Sequence, residues 1–105
     1  MKLKVAQDNL QVESFVGKLP DIEYQDYCRV VMRMSDGKIR EVNAKRWRGK
    51  IFEVYFKRDN RLFYIIEHGV LFLLYACGKT KGKTTSKDSK NIMRYYKYHR
   101  RLTSI

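Results

Sequence analysis

The apolar residues of this chain change their spacing near residue 38, and that change restricts the folds open to it. Before that point they recur at three- and four-residue intervals, as on one face of a helix. They are Val12, Phe15, Val16 and Leu19 in a first segment, and Tyr24, Tyr27, Cys28, Val31 and Met34 in a second. Pro20 separates the segments, so we predict a helical hairpin. Asp8 or Asn9 is the expected cap of its first helix, and the second helix covers about residues 21–35 and stops at Asp36-Gly37.

From Lys38 onward the apolar runs are β-branched and aromatic, and turn residues separate them. The runs IREV, IFEVYFKR, RLFYIIE and VLFLLYAC predict an antiparallel meander of four strands. In the second run, alternation places Phe52, Val54 and Phe56 on one face of the sheet and Glu53, Tyr55 and Lys57 on the other. The last run is apolar on both faces, which indicates a central strand.

Tight turns are expected at Asp59-Asn60 and at His68-Gly69, where glycine supplies the positive φ of a two-residue hairpin turn. A lysine-rich loop follows the last strand, and a short helix begins at about Ser86. Ile92, Tyr95, Tyr96 and His99 share one face of that helix. The whole pattern predicts one α+β domain over residues 1–105, with the helical hairpin packed on a small, mainly antiparallel twisted sheet.

The 105-residue chain carries a formal net charge of +12, and the excess is unevenly placed. Residues 1–37 hold five basic and six acidic side chains, residues 38–61 hold nine and three, and residues 62–105 hold nine and two. A charge this large on a small domain indicates a polyanionic partner. We expect that partner to bind from residue 38 onward.

Neither a membrane segment nor a secretory signal is predicted. The longest apolar run is eight residues, against the ~20 that a membrane helix requires, and the N-terminus lacks the regions of a signal peptide. Cys28 and Cys77 lie in apolar surroundings without the spacing of zinc ligands, which favours two buried thiols. We therefore expect a cytoplasmic protein that needs no metal and no cofactor.

The order of these segments resembles the RelE/HigB superfamily of type II toxin–antitoxin systems, and within it the phage-derived HigB-like branch. The resemblance covers roughly residues 12–99. WRGKIFEVYFKRDNRLFYII is similar to a conserved block of that family, with Arg61 at its basic position, and LYACGKTKGKTT is similar to the family's lysine- and threonine-rich segment. This resemblance implies a RelE-like fold and a toxin that cleaves mRNA in the ribosomal A site. The implied partners are the ribosome, mRNA and a cognate antitoxin, often a helix-turn-helix protein.

Metal-free RNA cleavage needs a base for the 2′-hydroxyl, a cation beside the phosphorane and an acid for the leaving 5′-oxygen. We expect Arg61, as a surface charge, to stabilise the phosphate, because its planar fork matches two phosphate oxygens. His99, Tyr96 and Lys79 are the candidates for proton transfer and for further stabilisation. The sequence leaves open which of them is base or acid.

The remaining basic and aromatic candidates are expected to bind RNA. Lysines at alternate positions of the loop form a phosphate-facing row if the loop is extended. The predicted RNA-binding residues are Lys45, Arg46, Arg48, Lys50, Lys57, Arg58, Lys81, Lys83 and Tyr95. Trp47 either stacks on a base or packs in the core, and the second reading is the commoner one.

The chain also departs from the family pattern. Phe52 and Val54 stand where the best-studied ribosome-dependent toxins have lysines, and Thr85 stands where the block ends in proline. A basic RNA- or ribosome-binding module without catalysis therefore stays open. A third possibility is a ParE-like toxin of the same superfamily that acts on DNA gyrase.

Overall fold

A computed structural model of the chain describes residues 2–78 and 84–103. Its fold is α+β, as predicted. The strands are β1 (Lys4–Gln7), β2 (Asn43–Arg48), β3 (Ile51–Phe56), β4 (Asn60–Glu67) and β5 (Val70–Cys77), and the helices are α1 (Gln11–Val16), α2 (Asp21–Ser35) and α3 (Ser86–Thr103). No helix among these is long and apolar enough to span a bilayer.

The five strands form one sheet in the order β1-β5-β4-β3-β2, in which only the β1–β5 pair is parallel. β5 is therefore interior, as its two apolar faces predicted. β1 was not predicted. It is four residues long and mostly exposed, so it lacks the apolar run from which a strand is recognised in sequence.

Helices cover both faces of this sheet. On one face α1 and α2 pack with Val12, Val30 and Met34 against residues of β3, β4 and β5. On the other face α3 packs with Ile92 against a second apolar cluster around Phe63. The expected polar face of β3 is consequently not solvated, and Glu53 on that face is only 3% exposed.

The IREV segment is the clearest error of the sequence prediction. Residues Ile39–Glu41 form a 3₁₀ turn, while the strand is the basic run Asn43–Arg48 that follows. The charged side chains fit an edge strand because their apolar stems can cover neighbouring rings. Lys45 lies over Tyr55, Arg46 over Phe52 and Arg48 over Trp47, at 4.3–5.3 Å from the ring centroids.

The predicted bounds of α2, the start of α3 and the β4–β5 turn are confirmed, whereas the β3–β4 turn covers residues 57–59 and Asn60 already begins β4. α2 covers residues 21–35, α3 begins at Ser86, and His68 and Gly69 both have positive φ in the β4–β5 turn. The predicted cap of α1 at Asp8 or Asn9 is wrong, because the N-cap is Leu10; Asn9 accepts a hydrogen bond from the Gln11 backbone N–H at 2.9 Å, and Asp8 binds His99. Cys28 is half-buried, Cys77 is buried, and both thiols are free.

Candidate functional site

Arg61 lies at the start of β4, between Tyr55 of β3 and Cys77 of β5 in the strand register. Its side chain is on the face covered by α3 and is 3% exposed, so the expected surface charge is in fact buried. Burial follows from the register, because the side chains of β4 alternate between two covered faces. The prediction that Arg61 is a surface charge is therefore wrong.

Two contacts orient the Arg61 guanidinium. Nη1 donates to the Thr84 hydroxyl at 3.1 Å, and the Tyr55 ring lies 5.2 Å from the guanidinium carbon. Nε is buried and has no hydrogen-bond partner among residues 2–78 and 84–103. A buried donor without an acceptor costs free energy, and an oxygen supplied by a ligand would remove that cost.

Several groups surround Arg61. Lys45 of β2 lies on the same Tyr55 ring, with Nζ 5.3 Å from its centroid. Glu53 is buried two positions from Tyr55 on β3, and its Oε1 also lacks a partner within the part of the chain that the structure describes. Burial raises the pKa of the Cys77 thiol to about 12, so this side chain is neutral at physiological pH and is not a nucleophile.

The beginning of α3 is held beside this cluster by a cap. The Thr85 hydroxyl accepts the Asp88 backbone N–H at 3.1 Å and donates to the Asp88 carboxylate at 2.8 Å, which satisfies an otherwise unpaired helix donor. Asp88 also accepts the Tyr75 hydroxyl at 2.7 Å, and burial and this bond raise the pKa of Tyr75 to about 12. Tyr75 thus keeps its proton and anchors α3 to β5.

A basic groove leads away from this point along α3. It has a volume of about 390 Å³ and lies between the helix and Arg48 at the end of β2. We call it the α3 groove, and it is lined by Arg48, Ser86, Ser89, Lys90, Met93, Arg94 and Lys97. Arg61 does not line this groove, but Thr84, which Arg61 contacts, lies two residues before α3 begins.

His99 is not brought to Arg61. Its ring is fully buried at the far end of the sheet, where Nδ1 contacts Asp8 at 2.5 Å and Nε2 contacts Glu67 at 3.4 Å. Arg61 and Glu67 lie at opposite ends of β4, about 20 Å apart at ~3.3 Å per residue. The placement makes His99 a buried link between β1, β4 and α3, distant from any reaction at Arg61.

The other predicted residues divide between several surfaces. Tyr96 packs half-buried against the apolar cluster under α3. Tyr95 lies against Tyr75 and faces α1, on the side of α3 away from the α3 groove. Trp47 packs edge-on against Phe63, as the structural reading predicted.

Among the predicted basic residues, Arg48 lines the α3 groove and Lys45 lies near Arg61, whereas Arg46 covers Phe52 on the opposite face. Lys50 pairs with Glu67 at 3.5 Å. Lys57 and Arg58 form part of the β3–β4 turn, which Glu23 and Asp26 of α2 hold. Lys79, Lys81 and Lys83 lie outside the described residues.

Six residues of this region were not among the catalytic or RNA-binding residues predicted from the sequence. They are Glu53, Tyr55, Thr84, Lys90, Arg94 and Lys97. The last three recur at helical spacing in a segment predicted as a helix, so their common side was visible in the sequence. The proximity of Glu53 and Tyr55 to Arg61 depends on the β3–β4 register, which local patterns do not specify.

No protein-family model matches the chain, and no curated protein matches it. Within residues 2–78 and 84–103, no three His, Cys, Asp or Glu side chains are grouped as a metal site would require.

Replacing His99 with glutamine is expected to lower the free energy of unfolding by about 1–3 kcal/mol, because Asp8 and Glu67 lose a buried hydrogen-bond partner. Urea denaturation measures this difference. Arg100→Gln is the matched control, because Arg100 contacts the same Glu67 carboxylate from a half-exposed position, where a pair contributes about 1 kcal/mol or less. An equal loss of unfolding free energy in the two variants would show that the buried histidine stabilises the fold no more than the half-exposed Arg100 does.

The difference in stability between wild type and His99→Gln is expected to depend on pH. Burial alone raises the pKa of Glu67, but the hydrogen bond from His99 and the charge of Lys50 outweigh it, so the folded-state pKa lies below the ordinary 4.5. Stability from this group is then present above pH 4.5 and is lost as the pH falls through the folded-state pKa. The stability gap between wild type and His99→Gln should narrow over that acidic range.

Proposed function

We propose that this protein is the toxin of a type II toxin–antitoxin system, a ribosome-dependent endoribonuclease that inhibits translation by cutting mRNA without a metal ion. The observation that carries the proposal is the buried Arg61 guanidinium, whose Nε–H has no acceptor among the described residues and whose Nη1 contacts Thr84 just before α3. A phosphate oxygen is the acceptor that such a donor binds best. The family resemblance supplies mRNA on the ribosome as the substrate.

In the proposed reaction the 2′-hydroxyl of one nucleotide loses its proton and attacks the adjacent phosphorus. The bond to the 5′-oxygen of the next nucleotide breaks, and that oxygen takes up a proton, leaving a 2′,3′-cyclic phosphate. Arg61 and Lys45 would stabilise the negative charge on the phosphorane. The hydroxyl of Tyr55 and the Glu53 carboxylate are the proton-transfer groups that neighbour Arg61, and Lys79 remains a candidate from the sequence.

The α3 groove supports a single-stranded RNA substrate. Its four cations and two serines can bind successive phosphates, which is the sequence-independent part of RNA binding. RNA held there would extend from Arg61 along α3 toward Arg48. This path excludes three residues that the sequence predicted to bind RNA, because they face α2 or α1. They are Lys57, Arg58 and Tyr95.

A non-catalytic RNA- or ribosome-binding module is the second candidate, and one observation favours it. His99, the predicted histidine catalyst, is fully buried between two carboxylates and distant from Arg61. The same groove would then bind RNA without cleaving it. The cytoplasm as compartment, and a helix-turn-helix antitoxin as partner, belong to the proposal as implications of the resemblance.

The test is to induce the protein in growing cells and to map new 5′ ends of mRNA by primer extension. The proposal predicts new ends within translated frames, which disappear when the start codon of the reporter mRNA is removed. Intact mRNA with a growth defect would favour the binding module, and intact mRNA with trapped DNA breaks would favour the gyrase-directed toxin. Cleavage of purified naked RNA at the same sites would contradict dependence on the ribosome.

A further inference from the structure

The turn between β3 and β4 lies directly before β4 and Arg61, and its backbone is strained. It consists of Lys57, Arg58 and Asp59, of which Arg58 has a φ of 65° and Asp59 a φ of 60°. Glycine adopts positive φ readily, whereas the Cβ of other residues approaches the following carbonyl oxygen in this conformation. Such strain persists only where the surrounding structure fixes it, and it is concentrated at functional sites. The contacts of this turn therefore indicate what it positions.

Two acids of α2 hold this turn and the first residue of β4. The side-chain amide of Asn60 donates to the Glu23 carboxylate at 2.8 Å and to the Lys57 carbonyl at 2.7 Å. The other oxygen of Glu23 lies 3.4 Å from Nε of Arg58. Asp26 accepts the backbone N–H of Lys57 at 2.7 Å. Glu23 is thus the one of the two acids that contacts both the turn and β4.

Glu23 is a charged residue on the packed side of α2, where the other buried residues are Val30 and Met34. It is only 8% exposed, and its partner Asn60 is 4% exposed. Acidic side chains are rarely buried unless they are paired, and an apolar residue would fill the same space without the loss of hydration of a charge. Packing therefore does not account for a carboxylate at this position, whereas the fixed geometry of the turn does.

Anchoring Asn60 also fixes Arg61, because successive side chains of a strand point to opposite faces of the sheet. In the strand register Asn60 opposes Phe56, and Arg61 opposes the Tyr55 ring that its guanidinium contacts. Without the anchor the strained turn would relax, and the start of β4 would shift together with the guanidinium. We propose that Glu23 is a positioning residue, which holds Arg61 in place through Asn60 and the β3–β4 turn. This inference rests on the proposed function, in which Arg61 stabilises the phosphorane.

The test compares Glu23→Ala with Glu23→Gln and Val30→Ala in single-turnover cleavage on programmed ribosomes, at a temperature where circular dichroism shows all three variants folded. Glutamine keeps an oxygen that can accept the Asn60 amide, whereas alanine removes it. Val30→Ala truncates another buried residue of α2 and leaves the hydrogen bonds of the turn intact.

We expect Glu23→Ala to lower the rate constant at saturating ribosomes by at least about tenfold, because a displaced catalytic group loses its alignment with the reacting phosphate. The half-saturating ribosome concentration should stay near the wild-type value, since the α3 groove is unchanged. Both control variants should cleave at close to the wild-type rate.

A second measurement is independent of cleavage. The NMR signal of the Arg61 Nε–H group, assigned by its loss in Arg61→Lys, reports the surroundings of the guanidinium. It should shift in Glu23→Ala and keep its wild-type position in Glu23→Gln and Val30→Ala. An unchanged signal in Glu23→Ala, or an equal loss of rate in Val30→Ala, would overturn the proposal. If the signal shifts as expected but the wild-type protein cleaves no mRNA, the proposed function fails and the positioning of Arg61 by Glu23 stands.

Discussion

Arg61→Lys is expected to lower the rate of mRNA cleavage by about 100-fold, the usual cost of removing one preorganised donor to the transition state. Lysine keeps the positive charge but cannot offer the fork of a guanidinium to two phosphate oxygens. The guanidinium can contact Thr84 with one N–H and a phosphate with another, whereas a lysine ammonium cannot hold both contacts in a fixed geometry. Single-turnover cleavage on programmed ribosomes measures the rate.

Arg29→Lys is the control for this prediction. Arg29 is exposed on α2, pairs with Asp26 at 2.8 Å and lies across the sheet from Arg61, so cleavage should be unchanged. Because Arg61 is buried, circular dichroism and urea denaturation must show that the lysine variant remains folded. A folded Arg61→Lys protein that cleaves at the wild-type rate would remove Arg61 from the site.

The second large effect is expected for the double variant Lys90→Glu with Lys97→Glu in the α3 groove. Its affinity for single-stranded RNA should fall at least about tenfold near 0.15 M salt, because two phosphate contacts are lost and like charges are introduced. The slope of log affinity against log salt should become shallower by about 1.4, at ~0.7 for each phosphate. Filter binding over a salt series measures both quantities.

The control for the groove carries the same change of net charge elsewhere. Lys2 and Lys38 are exposed and lie outside the α3 groove, so Lys2→Glu with Lys38→Glu should leave the salt slope near its wild-type value. Equal losses of affinity in both double variants would mean that RNA responds to net charge and not to this groove.

Much of the fold could be predicted because its signals are local. The apolar spacing of α2, the start of α3 and the two-sided apolar pattern of β5 each follow from a few neighbouring residues. The errors arose where tertiary contacts outweigh composition. Asn43–Arg48 is a strand because β3 supplies its hydrogen-bonding partner and aromatic rings support its charged side chains, although its sequence resembles a solvated loop.

The candidate site was predictable only in part, for the same reason. Arg61 was identified as a single residue, but its burial and its neighbours Tyr55 and Thr84 depend on strand register and on the position of α3. His99 was a reasonable catalyst by its chemistry alone. Its partners Asp8 and Glu67 lie 91 and 32 residues away in the chain, so the sequence did not indicate that they enclose it.

The sequence by itself determined the α+β class, most element boundaries and the concentration of positive charge after residue 38, since periodicity and charge are properties of short segments. Only the tertiary structure decided which cations act together. The two faces of the sheet separate Arg61 and its neighbour Tyr55 from Arg46 and Phe52, and the length of β4 separates Arg61 from His99. Distances of this kind arise from strand pairing and helix packing between segments far apart in the chain, and no local pattern encodes them.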